Sequence, residues 1–337
     1  MLRLAPERAR GANTEFTSLV GESDTFLQAL RKVGFLARSK APVILSGETG
    51  SGKELFARAI HYQSPRKGKP FIPVNCGALP DELFENELFG HVRGAYTNAS
   101  SAEKGLIAEA EGGTLFFDEV DTLSSATQVK LLRFLQSGEY RPLGSSRAVV
   151  ADVRIIAATN ADLSRRVESK RFREDLYYRL NVLSLSIPAL RDRVSDVVPL
   201  AAHFLSMYAQ EHDRRPPQLS DGALRKLLEY SWPGNVRELE GVVQRALVLH
   251  DSDVLTAEHL ELPKLDERPA SEGTRLRQAK ALAIEQFERN YIANLLAIHG
   301  GNMTRAAEAA GKDRRSFQRL VSKYSLDRTS ATLPTSR

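Results

Sequence analysis

A glycine-rich segment at residues 47–53 (GETGSGK) combines three glycines and a lysine in the spacing G-x-x-x-x-G-K. It follows an apolar run at residues 43–45 and precedes a helix-compatible stretch at residues 54–61. In that strand–loop–helix context, backbone amides close around phosphate oxygens and Lys53 adds a mobile cation, which predicts ATP binding. A turn that binds nothing is the alternative, and the flanking elements disfavour it. The expected nucleotide-binding residues are Gly47, Glu48, Thr49, Gly50, Ser51, Gly52, Lys53 and Glu54.

Two carboxylates follow another apolar run, residues 114–117. Asp118 can hold magnesium and Glu119 can polarise an attacking water, because both would stand at the carboxyl end of a parallel strand. Alone, such a pair is equally typical of a solvated loop, but beside a phosphate loop it predicts ATP hydrolysis. Glu54 replaces the Ser or Thr that often binds magnesium, so Asp118 and water must bind more of the metal. Asn160, after the next strand, is either a phosphate or water ligand or a turn residue.

A sheet is needed to position these residues. Short apolar runs alternate with helical patterns from residue 18 to about residue 188, which predicts an α/β fold with a parallel sheet covered on both faces. From residue 197 to 262 the pattern is helical throughout. The predicted strands are residues 43–45, 71–74, 114–117, 153–158 and 182–185.

The last helical unit has the pattern of a helix-turn-helix. A short helix of small residues ends at Gly311, and a helix at residues 314–324 follows with one apolar and one basic face. Basic and amide side chains on such a face can reach base edges or phosphates, although a solvated basic helix is the alternative. The expected DNA-binding residues are Thr304, Arg314, Arg315, Gln318 and Arg319.

Composition limits the classes of protein to which the chain can belong. The 337 residues are 42% hydrophobic and 26% charged, and no apolar run approaches membrane-spanning length. The single cysteine, Cys76, excludes an internal disulfide framework and indicates a cytoplasmic protein. The seven histidines show no metal-ligand spacing, so we expect no protein-ligated transition metal. A net charge of +5 permits polyanion binding without establishing it.

Five motifs in one order give the chain a specific resemblance. They are residues 47–53, 87–91 (ELFGH), 94–99 (GAYTNA), 112–119 (GGTLFFDE) and 232–239 (WPGNVREL). This series resembles the sigma-54-dependent transcriptional activators, the bacterial enhancer-binding proteins of the AAA+ ATPases. The C-terminal unit resembles the factor-for-inversion-stimulation type of DNA-binding domain. The resemblance implies an AAA+ P-loop parallel sheet with a helical lid subdomain, followed by an all-α helix-turn-helix domain.

The resemblance also implies an activity and partners. ATP would be hydrolysed with Mg²⁺ in a ring, usually a hexamer, that remodels the closed promoter complex of sigma-54 RNA polymerase. The DNA-binding ends would act as dimers at an upstream enhancer site. The implied limits are an N-terminal tail at residues 1–17, a nucleotide-binding subdomain at 18–188, a lid at 189–262, a linker at 263–274, a helix-turn-helix domain at 275–327 and a tail at 328–337.

Further residue roles come from the same match. Asn75 resembles the asparagine that holds the catalytic glutamate, although a strand-end turn residue is the plain alternative. Arg173 and Arg179 match the two arginines that act on the neighbouring subunit, and a helix with salt bridges is their alternative. Arg237 matches the sensor arginine of the lid, although a surface arginine paired with a nearby glutamate is possible from sequence. The implied sigma-54 contacts are Gly94, Ala95, Tyr96, Thr97, Asn98 and Ala99.

Three positions depart from the family pattern. Tyr96 replaces a phenylalanine, which is mild, and Asn98 replaces a glycine, which adds bulk where close approach matters. Ala108 replaces the glutamate that relays the nucleotide state, and Glu109 beside it would point in another direction. We expect a sigma-54 activator with intact ATP hydrolysis, and these departures leave an activator with weakened or partner-dependent coupling to sigma-54 as the alternative.

Two other functions stay open, and one regulatory feature is expected. The chain could be another DNA-remodelling ATPase, against which residues 94–99 argue, or a non-catalytic DNA-binding regulator within a mixed ring. Seventeen residues before the ATPase cannot build a receiver domain. We therefore expect control by abundance, by a separate protein or by hetero-oligomerisation, although a shortened chain would show the same sequence.

Overall fold

The computed structural model describes residues 19–96, 101–263, 291–292, 295–296, 299 and 302–323. The chain divides into two units, one ending at Leu262 and one beginning at Pro263. The strands of the first unit are β1 (Val43–Ser46), β2 (Phe71–Asn75), β3 (Gly90–His91), β4 (Glu103–Lys104), β5 (Thr114–Asp118), β6 (Glu139–Tyr140), β7 (Val149–Val150), β8 (Arg154–Thr159), β9 (Leu183–Ser186), β10 (Gln218–Leu219) and β11 (Val254–Leu255).

Helices surround these strands and form most of the remaining described structure. Short 3-10 turns lie at Val120–Thr122, Leu190–Asp192 and Val194–Asp196. The α-helices of the first unit are α1 (Asp24–Arg38), α2 (Lys53–Tyr62), α3 (Asp81–Phe89), α4 (Leu106–Glu109), α5 (Ser125–Ser137), α6 (Leu163–Glu168), α7 (Glu174–Leu180), α8 (Val197–Glu211), α9 (Asp221–Glu229) and α10 (Asn235–Leu249).

Within the described residues, five parallel strands form the central sheet in the order β2-β5-β8-β1-β9. The predicted strands are confirmed, each within one residue of its bounds. Parallel pairing brings the carboxyl ends of the strands to one edge: Asn75 pairs with Asp118, and Ser46 pairs with Thr159. This edge therefore carries the residues that follow β1, β2, β5 and β8.

The sheet is buried on both faces, as a parallel sheet with crossover helices requires. Successive residues of β5 point to opposite faces. Phe116 packs with residues of α1 and α2, whereas Phe117 packs with residues of α3, α5 and α7. The unbroken apolar runs in the sequence arise from this two-sided burial.

The lid begins after β9 and has its own core around α8, α9 and α10. The helical prediction for residues 197–262 is wrong at one place, because β10 and β11 form a two-stranded parallel pair. Strands of two residues leave no periodic signal. Ser220 caps α9, as its side chain accepts the N–H of Ala223 at 3.2 Å.

Trp232 anchors the lid core, because its side chain is 1% exposed and its indole N–H donates to the carbonyl of Leu227 at 2.9 Å. Trp232→Ala should lower the free energy of unfolding by about 3–5 kcal/mol, since it leaves a cavity and an unpaired carbonyl. Circular dichroism during denaturant titration measures this change. Val248→Ala, at a 57% exposed apolar position of α10, is the matched control and should stay within about 0.5 kcal/mol. A loss below about 1 kcal/mol for Trp232→Ala would contradict the assignment of this core.

The second unit is described around two helices, α11 (Met303–Ala309) and α12 (Arg314–Lys323). Asn302 caps α11 by accepting two backbone N–H groups, and Gly311 turns the chain with a φ of +62°. Apolar residues from both helices form one core with Ile292 and Leu296. The predicted helix-turn-helix is therefore confirmed in its described part. No helix among the described residues is long and apolar enough to cross a bilayer.

Candidate active site

The phosphate loop leaves β1 and enters α2, as the sequence predicts. Gly50 and Gly52 have φ angles of +76° and +101°, which glycine adopts readily. The ammonium of Lys53 donates to the carbonyls of Gly47 and Glu48 at 2.9 and 3.1 Å. Burial lowers the pKa of Lys53, and the charges of Asp118 and Glu119 oppose that shift. The lysine therefore lies inside the loop, within the electrostatic reach of both carboxylates.

The acidic pair stands at the end of β5. Asp118 Oδ1 accepts the backbone N–H of Glu119 at 2.9 Å, and Glu119 has a left-handed φ of +54°. A Cβ added to Gly77 would come within 3.0 Å of Glu119 Oε2, so this carboxylate lies against the turn after β2. Two carboxylates close to the lysine of a phosphate loop fit a hard cation such as Mg²⁺, which prefers oxygen ligands.

Asn75 and Asn160 reach the same edge of the sheet. The side-chain oxygen of Asn75 accepts the N–H of Gly77 at 2.8 Å, which is the turn role considered above, and it lies beside Glu119. Asn160 donates from Nδ2 to the hydroxyl of Thr49 at 2.9 Å and therefore contacts the phosphate loop directly. Strand order alone brings both asparagines to the predicted place.

A buried network supports the end of β8, and no pattern in the sequence predicted it. The Thr159 hydroxyl donates to Asp121 Oδ1 at 2.7 Å, and Arg166 forms an ion pair with Asp121 Oδ2 at 2.9 Å. Asp121 is 4% exposed, so its charge is balanced inside the protein. This network orients the strand end that carries Asn160.

The two predicted trans-acting arginines are exposed on their own subunit. Arg173 forms an ion pair with Asp175 at 2.7 Å, and that pairing lowers the pKa of the Asp175 carboxyl. Arg179 donates from Nε to the carbonyl of Leu135 at 3.1 Å. Both side chains therefore lie at the surface, where a neighbouring subunit could meet them.

The lid contacts the phosphate loop through main-chain bonds. The carbonyl of Gly50 accepts the N–H groups of Val236 and Arg237 at 3.0 and 3.3 Å. Arg237 is exposed, and its charge adds to burial, the main cause, in lowering the pKa of Lys53. Arg237 thus lies next to the phosphate loop, to which its main chain is bonded.

Glu48 and Glu54, both predicted to bind the nucleotide, use their carboxylates within the protein. Glu54 forms an exposed i,i+4 ion pair with Arg58 at 2.8 Å. Glu48 accepts from Arg191 at 2.7 Å and from Asn235 at 3.1 Å. Sequence reasoning missed Arg191 and Asn235: Asn235 lies inside the motif at residues 232–239, which was the available signal, whereas Arg191 lies far before it in the chain and had none.

Residues 94–99, which are predicted to contact sigma-54, lie in the hairpin loop that connects β3 to β4. Of these, Gly94, Ala95 and Tyr96 are described, while Thr97, Asn98 and Ala99 lie outside the described residues. The Tyr96 side chain is 47% exposed, and its ring centroid lies 5.1 Å from that of His91. An aromatic face is thus available beside the base of the hairpin.

A second segment braces this hairpin and was not singled out from the sequence. Leu143 donates its N–H to the carbonyl of Gly90 at 2.8 Å and accepts the N–H of Val92 at 3.1 Å.

The side chains of residues 108 and 109 differ in burial. Ala108, in α4, packs against the core of the first unit, whereas Glu109 is exposed. Because the two side chains point differently, Glu109 does not take the place of the missing glutamate at residue 108.

In the second unit, the predicted DNA-binding residues share exposure to solvent. They are Thr304, Arg314, Arg315, Gln318 and Arg319. Phe317 and Val321 on the opposite face of α12 are buried. The basic face is therefore free to meet a polyanion.

Three family models match successive parts of the chain. They are the sigma-54 interaction domain at residues 19–186, the AAA+ ATPase lid domain at residues 191–277 and the bacterial regulatory protein of the Fis family at residues 283–324. The order of these matches is the order of the subdomain, lid and helix-turn-helix described above.

Known proteins match across almost the whole chain. The transcriptional regulatory protein GlrR of Escherichia coli is 46% identical over 310 residues, which is 92% of this chain and 68% of that protein. The response regulator protein PilR of Pseudomonas aeruginosa is 43% identical over 328 residues, or 97% of this chain and 74% of that protein. The crystal structure of NtrX from Brucella abortus in complex with ATP is 33% identical, with a TM-score of 0.71 over 92% of this chain and 70% of that chain. The chain therefore belongs to the sigma-54-dependent transcriptional activators, which join an AAA+ ATPase domain and its lid to a Fis-type DNA-binding domain.

Proposed function

We propose that the chain hydrolyses ATP to ADP and phosphate, with Mg²⁺, and uses the energy to open promoters bound by sigma-54 RNA polymerase. The observation that supports this most is that Asp118 and Glu119 stand at the carboxyl end of β5, on the sheet edge where β1 leads into the phosphate loop and Lys53. NtrX, solved with ATP and with ADP, supports nucleotide binding by a homologous domain.

The residues take separate roles in the proposed reaction. Backbone amides of residues 47–52 and the ammonium of Lys53 bind the phosphates. Asp118 would hold a magnesium ion, which would withdraw charge from the phosphate oxygens. Glu119 accepts a proton from the attacking water. Asn160, held against Thr49, orients that water or the terminal phosphate.

Other residues would link hydrolysis to the assembly. We propose a ring, hexameric as is usual in the family, in which Arg173 and Arg179 of one subunit stabilise charge on the nucleotide of the next. Asn75 would hold Glu119 until the nucleotide state changes, and its position beside that carboxylate supports this role. Arg237 would act on the nucleotide of its own subunit from the lid.

The two contact surfaces are proposals of the same kind. Residues 94–99 would touch sigma-54, with the aromatic ring of Tyr96 as the described contact. The exposed face of α12 would read DNA at an upstream enhancer site, with the DNA-binding ends paired as dimers. We propose that the protein acts in the cytoplasm. We also propose domain boundaries at residues 18–188 for the nucleotide-binding subdomain, 189–262 for the lid and 275–327 for the helix-turn-helix domain, with a linker at residues 263–274.

One observation favours a second candidate, a regulator whose coupling to sigma-54 depends on a partner. Ala108 has no carboxylate to relay the nucleotide state, and Glu109 points to solvent. In a mixed ring, subunits of another family member would supply that coupling. ATP turnover without promoter opening by the purified chain would support this candidate over the first.

In vitro transcription from a sigma-54 promoter tests the proposal. The wild-type chain should give transcripts only with hydrolysable ATP, and Glu119→Gln should give background levels. Asn98→Gly should raise transcription per ATP hydrolysed, because the smaller residue removes bulk at the loop tip. Ser101→Gly, in the same loop, is the matched control. Full transcription by Glu119→Gln would show that hydrolysis does not drive opening.

A further inference from the structure

Three polar side chains connect the phosphate loop to the lid, and we call Glu48, Arg191 and Asn235 the lid latch. Glu48 precedes Arg191 by 143 residues and Asn235 by 187 residues in the chain. Arg191 lies in the 3-10 turn where the lid begins, and Asn235 is the first residue of α10. The latch therefore joins the loop, the entry to the lid and the helix that carries Arg237.

Asn235 is the centre of the lid latch. It is 0% exposed and has a left-handed φ of +55°. Its Oδ1 accepts the N–H of Leu190 at 2.8 Å, and its Nδ2 donates to Glu48 Oε2 at 3.1 Å and to the carbonyl of Thr49 at 3.0 Å. An aspartate could not donate these two bonds, and an alanine would remove all three, although Glu48 Oε2 would keep its bond from Arg191. The chemistry of this position therefore requires an amide.

The Glu48–Arg191 pair gives the lid latch its charged bond. Both guanidinium Nη atoms donate to the carboxylate, with Nη1 at 2.7 Å from Oε2. The hydrogen bond from Arg191 lowers the pKa of Glu48, so the carboxylate is charged at neutral pH. A bidentate arginine–carboxylate pair fixes orientation as well as distance. It therefore sets the angle at which the lid leaves the core.

The latch lies next to an unusual helix cap. The N-terminus of α10 has no side-chain cap, and its N–H groups at Val236 and Arg237 donate to the carbonyl of Gly50 in the phosphate loop. A Cβ on Gly50 would lie 2.2 Å from the carbonyl oxygen of Gly234, so the two backbones are in direct contact. The start of α10 is thus placed by the phosphate loop itself.

We propose that the lid latch positions Arg237 toward a nucleotide bound in the phosphate loop. The lid core, which includes Trp232 and Leu190, keeps the lid folded, and Asn235 borders it by donating its N–H to the Trp232 carbonyl at 2.8 Å. The latch instead holds that folded lid in one orientation against the loop. The inference rests on the proposed nucleotide site, because Arg237 acts only on a nucleotide bound there. Arg191 and Asn235 are therefore positioning residues and do not touch the reacting atoms.

The test compares ADP affinity and ATP turnover of the full-length chain and its variants. Asn235→Ala should weaken ADP binding by about tenfold or more, and Arg191→Ala by about three- to tenfold. Arg191→Lys should recover part of the loss, since it restores charge without the bidentate geometry. The matched control is Arg214→Ala, which removes a lid arginine paired with Asp251 at 2.7 Å, away from the loop. It should leave ADP affinity unchanged.

A double-mutant cycle separates positioning from a purely structural effect. In an Arg237→Ala background, Asn235→Ala should weaken ADP binding by less than about twofold, because the residue it positions is absent. Equal losses in both backgrounds would overturn the proposal. The proposal would also be overturned if Arg191→Ala and Glu48→Gln both bound ADP within about twofold of the wild-type affinity. These two variants provide the test if Asn235→Ala does not fold. Binding of ADP without any ATP turnover would reject the proposed function and leave this test valid.

Discussion

Replacing Glu119 by glutamine should lower ATP turnover by about 10²–10⁴-fold while nucleotide affinity stays close to the wild-type value. The amide has the shape of the carboxylate but cannot accept a proton from water at neutral pH. Glu119 lies beside the turn at Gly77, and Lys53 bonds to the carbonyls of Gly47 and Glu48, so a glutamine at position 119 leaves those two hydrogen bonds in place. Steady-state turnover and ADP titration measure the two quantities separately.

A control variant and two possible outcomes test whether Glu119 is the catalytic base. Glu168→Gln changes an exposed glutamate at the end of α6 and should leave turnover and affinity unchanged. If Glu119→Gln loses affinity and turnover by the same factor, the residue binds nucleotide and is not the base. If it keeps wild-type turnover, another group activates the water and the proposed role is wrong.

Replacing Arg179 by alanine should lower turnover by about 10³-fold without loss of ADP binding. The expected cause is loss of positive charge from the nucleotide of the neighbouring subunit, since the Arg179 side chain is exposed and bonds only to the Leu135 carbonyl in its own chain. ATP turnover by a mixture of two inactive variants tests this role more sharply. Arg179→Ala subunits keep Lys53, and Lys53→Ala subunits keep Arg179, so some interfaces in a mixed ring are complete.

The mixture of Arg179→Ala and Lys53→Ala should therefore turn over ATP faster than either variant alone. Arg171→Ala, an exposed arginine of the same segment, is the control and should behave as wild type. Size measurements must show that both variants still assemble. A mixture that assembles and stays as inactive as its parts would place Arg179 outside the neighbour's site.

Much of the core could be predicted because its signals are local. Apolar runs of three to six residues mark β1, β2, β5, β8 and β9, and parallel pairing puts their ends at one edge. That rule was enough to place Asn75, Asp118 and Asn160 near the phosphate loop. The search for apolar runs missed β10 and β11, because strands of two residues are determined by packing and leave no pattern in the sequence.

The sequence by itself determined the phosphate loop, the acidic pair, the five central strands and the helix-turn-helix. Each depends on residues that are close in the chain, where spacing fixes which groups share a turn, a face or a strand end. Only the tertiary structure decided that the Glu48 carboxylate binds Arg191 and Asn235 and that the Gly50 carbonyl caps α10. These contacts join or orient groups through packing between distant segments, and no local periodicity records which partner a polar side chain will find once the chain has folded.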